Sequence, residues 1–213
     1  KFFCAGANIQ MLSAVTPEFK YYFCLHANET LSRLEQTPKL VIAALNGHTV
    51  GGGLEVAMAA DLRIARKGAG KMGLPEVSLG VLPGTGGTQR LVRIVGKSRA
   101  IELMTTGALF DFEKGLELGL VNHLYEAETN ELFLSQVLEY ARQFTTPNRA
   151  ARAVGRIKRS VQTGDVSRSG DHGRAERRVG RRGRTEGDRR CGRDPPSASH
   201  GARVPPPGGR PNP

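Results

Sequence analysis

Tryptophan is absent from the 213-residue chain, and aromatic residues make up only 6% of it. Its core must therefore be built mainly from aliphatic side chains. Cysteine is nearly as scarce. Cys4, Cys24 and Cys191 are odd in number, far apart and without C-x-x-C spacing, which argues against both a disulfide framework and a zinc site. A reducing cytoplasm is the simplest home. No apolar run approaches the roughly 18–20 residues needed to span a bilayer, and no signal peptide is visible. The chain has no initiator Met and begins at Lys1-Phe2-Phe3, which reads as the tail of a buried strand, so a start in mid-domain is expected. GxxxxGK[ST] and GxSxG are missing, Gly84–Gly87 gives no GxGxxG, and no strand–glycine–helix unit is followed by an acid about 20 residues on. These absences argue against a phosphate-cradling loop, a dinucleotide fold and a serine nucleophile elbow. His26 has no Asp, Cys or second His at ligand spacing, so no metal is expected.

The basic charge is unevenly spread. Of a formal net charge of +11, residues 165–213 carry +6, from 12 Arg, no Lys and 6 acids. The same segment holds 9 Gly and 7 Pro but no Leu, Ile, Met, Phe, Tyr or Trp. It cannot bury enough apolar surface to offset chain entropy and reads as a disordered tail. Arg, Gly and Pro are what GC-rich codons yield when read out of frame, so a frameshift product is the leading account. An ordinary linker is the second. A basic nucleic-acid-binding tail is the weakest, because the segment has no aromatics for stacking and no regular repeat. The change of composition at Gly164 sets a domain boundary, with a folded domain over 1–164 and a tail over 165–213.

Within 1–164, strand and helix signals alternate. Thr16-Pro17-Glu18 combines an N-cap, a first-turn proline and an acid. Phe19, Tyr22, Phe23, Ala27, Leu31 and Leu34 follow at helical spacing until Thr37-Pro38. Leu40–Leu45 is an apolar run of strand length. Asn46-Gly47 turns the chain, and Leu54–Ala60 reads as a short buried helix. Asp61–Arg66 alternates like a strand. Helices are predicted after Gly87, from Lys97 to Gly107, from Asp111 to Gly119, over about 128–144, and on to about Gln162. A short strand is predicted over Leu120–Leu124. Alternation of this kind implies an α/β domain.

Chemistry concentrates between Gly47 and Gly87. Gly51–Gly53 run into a helix start, where backbone amides are unpaired and the dipole is positive, a setting suited to an oxyanion. Phe3–Ile9 (FCAGANI) is a second small-residue loop that lets backbone approach a ligand; its bland reading is a strand-to-loop turn. Ala7 is placed to offer a second amide. Glu55 and Glu76 lie beside these loops and suit a division of acid and base duty. Each has a plainer alternative: Glu55 caps its helix, and Glu76 ends a loop by binding backbone amides.

The segments FCAGANI, NGHTVGGGLEVAMAADLRIA, GLPEVSLGVLPGTGGTQRLVRIVG and GLELGLVNHL together resemble the enoyl-CoA hydratase (crotonase) family, in order, across nearly all of 1–164. The resemblance implies a spiral of repeated ββα units, normally assembled as trimers or pairs of trimers. It implies that Ala7 and Gly52 supply the oxyanion-hole amides and that Ala5, Ala7, Asn8, Ile9 and Gly52 line the coenzyme A thioester. Glu55 corresponds to the residue that orients or deprotonates the attacking water, and Glu76 to the acid that exchanges the α-carbon proton. The reaction implied is hydration of a trans-2-enoyl-CoA to a 3-hydroxyacyl-CoA, as in fatty-acid β-oxidation, without metal or redox cofactor. Coenzyme A enters only as part of the substrate. An enoyl-CoA isomerase or another crotonase-type acyl-CoA lyase is the alternative, and an inactive scaffold with a nucleic-acid-binding tail is the non-enzyme reading. Retention of both glutamates favours the hydratase. The family pattern also includes an N-terminal ββα segment and C-terminal helices where this chain has its start and its Arg/Gly/Pro tail, so the chain alone is expected to be inactive or poorly folded.

Overall fold

A computed structural model describes residues 1–164. The expected tail, its frameshift origin and its nucleic-acid alternative all fall on 165–213, outside the described residues. Among the described residues, seven short strands form two sheets. β1 (Phe2–Cys4), β3 (His48–Val50), β5 (Lys71–Gly73) and β6 (Phe110–Asp111) make one, in that order. β2 (Ile42–Leu45), β4 (Leu62–Arg66) and β7 (His123–Tyr125) make the other. Every pairing is parallel except β5 with β6. The first five strands alternate between the sheets. The chain passes from β2 to β3 and into helix α3 (Gly52–Ala59), then from β4 to β5 and on to α4 (Gly87–Val95). This winding is the expected spiral of ββα units.

The second sheet is covered on both faces. Ala43, Leu45 and Ala65 point into the main core, with Leu54, Ala57, Met58, Met72, Leu91, Phe112, Leu120 and Val121. Their alternate neighbours Ile42, Ala44 and Ile64 meet Phe133 and Val137 of α7 (Asn130–Arg142) on the other side. A strand covered on both faces favours apolar residues at successive positions, which is why Leu40–Leu45 is continuous. It also corrects the alternating reading of Asp61–Arg66, because Arg63, Ile64 and Ala65 are buried in succession. Leu54 and Met58 anchor α3 in the core, at about 1.5–3 kcal/mol for each fully buried side chain.

Caps set several boundaries. Thr16 accepts from the Phe19 amide at the start of α2 (Pro17–Gln36), and Asp111 accepts from the Lys114 amide at the start of α6 (Phe112–Glu117). Thr129 does the same for α7. α5 spans Lys97–Thr106 and α1 spans Ile9–Ala14. A last helix, α8, runs over 151–164. It is pinned by Lys158, whose Nζ donates to the Lys39 carbonyl at 2.9 Å and pairs with Asp61 Oδ2 at 2.7 Å.

Four expectations change. Phe2 is 56% exposed, so the initial aromatics are not a wholly buried strand tail; β1 pairs with β3 at its edge. The predicted strand over Leu120–Leu124 begins only at His123, because Leu120 and Val121 plug the core from a loop. The aromatic positions early in α2 are largely uncovered, with Phe19 and Tyr22 at 48% and 61% exposure, and only Leu31 of that helix is buried. β3, β5 and a 3-10 turn over Glu76–Leu79 are additional elements. None of the described helices is long and apolar enough to cross a membrane.

Candidate active site

The site gathers around the N-terminus of α3. Gly6 and Gly52 touch backbone to backbone. A Cβ on Gly6 would lie 2.8 Å from the Gly52 nitrogen, and Gly6 also has φ +83°, so glycine is required there on both counts. A Cβ on Gly53 would sit 2.0 Å from the Cys4 carbonyl oxygen. The FCAGANI loop therefore lies directly on the start of α3. A Cβ on Gly52 would be 3.7 Å from the Ala7 nitrogen, which brings the two expected donors side by side. Among the described residues, neither the Ala7 nor the Gly52 amide donates to a protein acceptor.

The remaining segment stays open. Ala5, Ala7, Asn8 and Ile9 are exposed, Ile9 at 59%. The Asn8 side chain is engaged locally, accepting from the Met11 amide at 3.1 Å as the N-cap of α1. What Asn8 offers a ligand is therefore its place in the loop and its backbone.

The two carboxyls occupy unequal settings. Glu55 is 2% exposed and accepts three hydrogen bonds. The Thr85 and Gly87 amides donate to Oε1 at 2.8 and 2.7 Å, and the Thr85 hydroxyl donates to Oε2. Gly87 is the first residue of α4. The capping alternative for Glu55 is thus corrected in one respect: it serves the N-terminus of α4, not of its own helix, where the unpaired amides and the dipole favour a carboxylate. Glu76 is only half-buried, yet its Oε2 is shielded and has no protein partner. Burial raises the Glu76 carboxyl above its ordinary value; its own backbone amide opposes the shift and the Glu55 charge adds to it. The alternative in which Glu76 is spent on backbone amides does not account for the bare Oε2. The carboxyls face adjacent residues of one loop. A Cβ on Gly51 would be 3.2 Å from Glu76 Oε1, and one on Gly52 would be 3.8 Å from Glu55 Oε2.

Several supporting residues had no sequence signal of their own. Thr85 lies in the glycine loop that leads into α4. Arg90 is 6% exposed, pairs bidentately with Glu35 and donates to the Thr85 carbonyl. Arg63 is also 6% exposed. It donates to the Leu120 carbonyl at 2.6 Å and to the Ala60 carbonyl at 2.7 Å, closing the C-terminal end of α3. Burial pulls its guanidinium below the ordinary value, against the opposing charge of Asp61. Cys24 lies under the Gly84 turn, and burial, then the Glu55 charge, pushes its thiol up. Charged residues in amphipathic helices read as solvated faces, and only tertiary contact turns them inward.

Comparison with known proteins follows the same lines. A family model described as enoyl-CoA hydratase/isomerase matches residues 1–178. A probable enoyl-CoA hydratase of Bacillus subtilis is 43% identical over 123 residues, covering 57% of this chain and 47% of that protein. A short-chain-enoyl-CoA hydratase of Clostridium acetobutylicum is 44% identical over 126 residues, covering 59% of this chain and 48% of that one. A crystal structure of an enoyl-CoA hydratase from Geobacillus kaustophilus superposes with a TM-score of 0.73 at 49% identity, covering 78% of this chain and 61% of that chain. The chain spans about half the length of the curated relatives it matches.

Proposed function

The chain belongs to the enoyl-CoA hydratase/isomerase family, and from that premise we propose that its site hydrates a trans-2-enoyl-CoA to a 3-hydroxyacyl-CoA. The observation that carries this reading is the inequality of the carboxyls. One is held by three donors, and the other is partly buried with a bare oxygen. In the proposed reaction the thioester carbonyl lies against the Ala7 and Gly52 amides. Glu55 takes a proton from water as the water oxygen bonds to the β-carbon. The carbonyl π electrons move onto oxygen, and the two amides stabilise the enolate, each donor supplying roughly 3 kcal/mol. Glu76 then delivers its proton to the α-carbon, a role that suits a carboxyl raised by burial. Water is added across the double bond, and the two carboxyls exchange protons with solvent to reset.

Double-bond isomerisation is the second reading. It moves a proton between carbons and needs only one carboxyl, whereas here a second one is firmly anchored within reach. By analogy with the family, the working assembly is a trimer or a pair of trimers. The test is the decline of the conjugated enoyl-thioester absorbance on mixing substrate with the protein, a decline that would also overturn the expectation that this chain alone is inactive. Glu55→Gln and Glu76→Gln should each abolish that decline while circular dichroism stays unchanged. Full hydration rate in Glu76→Gln would overturn the assignment. A rise in absorbance from a 3-enoyl thioester, without any decline from the 2-enoyl one, would select the isomerase.

A further inference from the structure

The hydration reaction leaves one ion pair without a task, between the buried Arg90 and the partly buried Glu35. Arg90 on α4 donates through Nε and Nη2 to the two carboxyl oxygens of Glu35 on α2, at 2.8 and 2.9 Å. Its Nη1 donates to the Thr85 carbonyl at 2.8 Å. Thr85 in turn presents both its amide and its hydroxyl to Glu55. The turn is drawn tightly over the guanidinium, since a Cβ on Gly86 would lie 2.1 Å from Nη1. Neither Arg90 nor Glu35 is hydrogen-bonded to Glu55. The planar fork of a guanidinium engages a carboxylate on one edge and a carbonyl on another at once, which a lysine ammonium cannot do.

Resting on the proposed hydration, we propose that Arg90, oriented by Glu35, is a positioning residue that aims the Glu55 carboxyl through the Thr85 backbone. Holding the Thr85 carbonyl fixes the peptide that follows it and so the direction in which the Thr85 amide and hydroxyl point. Released, Thr85 swings and Glu55 loses its aim at the water. A shift on the order of 1 Å in a reacting group lowers turnover by as much as about 100-fold. The simpler account is that the pair only ties α2 to α4.

Arg90→Lys and Glu35→Gln separate these accounts. Two readouts are taken at a temperature well below each variant's unfolding midpoint. The first is hydration kinetics. Positioning predicts that kcat falls about 10- to 100-fold in Arg90→Lys while KM stays within about twofold, since substrate binding is untouched. Glu35→Gln should fall between Arg90→Lys and the parent. The second needs no turnover: the amide NMR resonances of Thr85 and Gly87, both donors to Glu55, should shift in both variants. Parent-like kcat with unmoved resonances, or a kcat loss without resonance shifts, would overturn the positioning role. If the parent hydrates no enoyl thioester while the resonances still move, the inference stands and the proposed hydration falls. Should Arg90→Lys fail to fold, Glu35→Gln decides by the same two readouts.

Discussion

Replacing Gly53 with Ala probes the joint on which the proposed oxyanion hole depends. The added Cβ would lie 2.0 Å from the Cys4 carbonyl oxygen and 2.6 Å from its carbon. Both obstacles are backbone, so no side-chain rotation relieves them. Ordinary contact begins near 3.4 Å, so α3 and the end of β1 must part by about 1.4 Å. Overpacking of this kind costs about 3 kcal/mol. Alanine is the better helix former by about 1 kcal/mol, which leaves a net loss near 2 kcal/mol. For a chain of this size the unfolding midpoint should drop by about 4–8 °C. Turnover should suffer more than stability. Cys4 leads into Gly6 and Ala7, so the opening carries the Ala7 amide away from Gly52, and kcat should fall about 100-fold. Thermal unfolding by circular dichroism and the enoyl-thioester absorbance assay measure the two effects. Gly164→Ala is the control, because a Cβ there meets nothing within 4 Å. If Gly53→Ala unfolded within about 1 °C of the parent with unchanged kcat, the close approach of the two loops would be refuted.

Stability should depend on pH through Glu76. Its folded value is raised above 4.5, so its contribution is full below the ordinary value and is lost as pH rises through the raised one. Glu76→Gln should therefore be more stable than the parent above that range, with the advantage vanishing on acidification below about 4.5; equal advantage at both extremes would contradict the shift. Asp61→Ala should lower the unfolding midpoint by at least about 6 °C, because Lys158, with a 4% exposed side chain, would keep only the Lys39 carbonyl. Removing one member of a buried pair costs about 3 kcal/mol or more. An unchanged midpoint would mean that α8 is held by other contacts.

Local grammar carried much of this fold. Thr16-Pro17 and Asp111 announced helix starts because capping is a contact between near neighbours. The run over 40–45 announced a strand because cover on two faces favours apolar residues at successive positions. β3 and β5 were missed because three residues are too few to show a period. The site divided in the same way. Glu55 and Gly52 stood out as a carboxylate and glycines in an apolar helix. Glu35, Arg90 and Thr85 did not, because their roles arise from contacts across 5, 30 and 55 positions of sequence. Arg63 was hidden for the same reason, since its partner Leu120 is 57 residues away.

Arg63 also bears on behaviour in salt. Its acceptors, the Leu120, Ala57 and Ala60 carbonyl oxygens, all belong to the backbone, and it is closed off from solvent. The ion pairs Lys67–Glu126, Lys114–Glu117 and Arg142–Glu139 lie in the open. Mobile ions screen such open pairs over a Debye length of about 8–10 Å but do not reach a sealed guanidinium whose partners are dipoles. Raising ionic strength should loosen the periphery while α3 stays clamped at its far end. The scaffold behind the reacting groups is thereby insulated from the salinity of its surroundings.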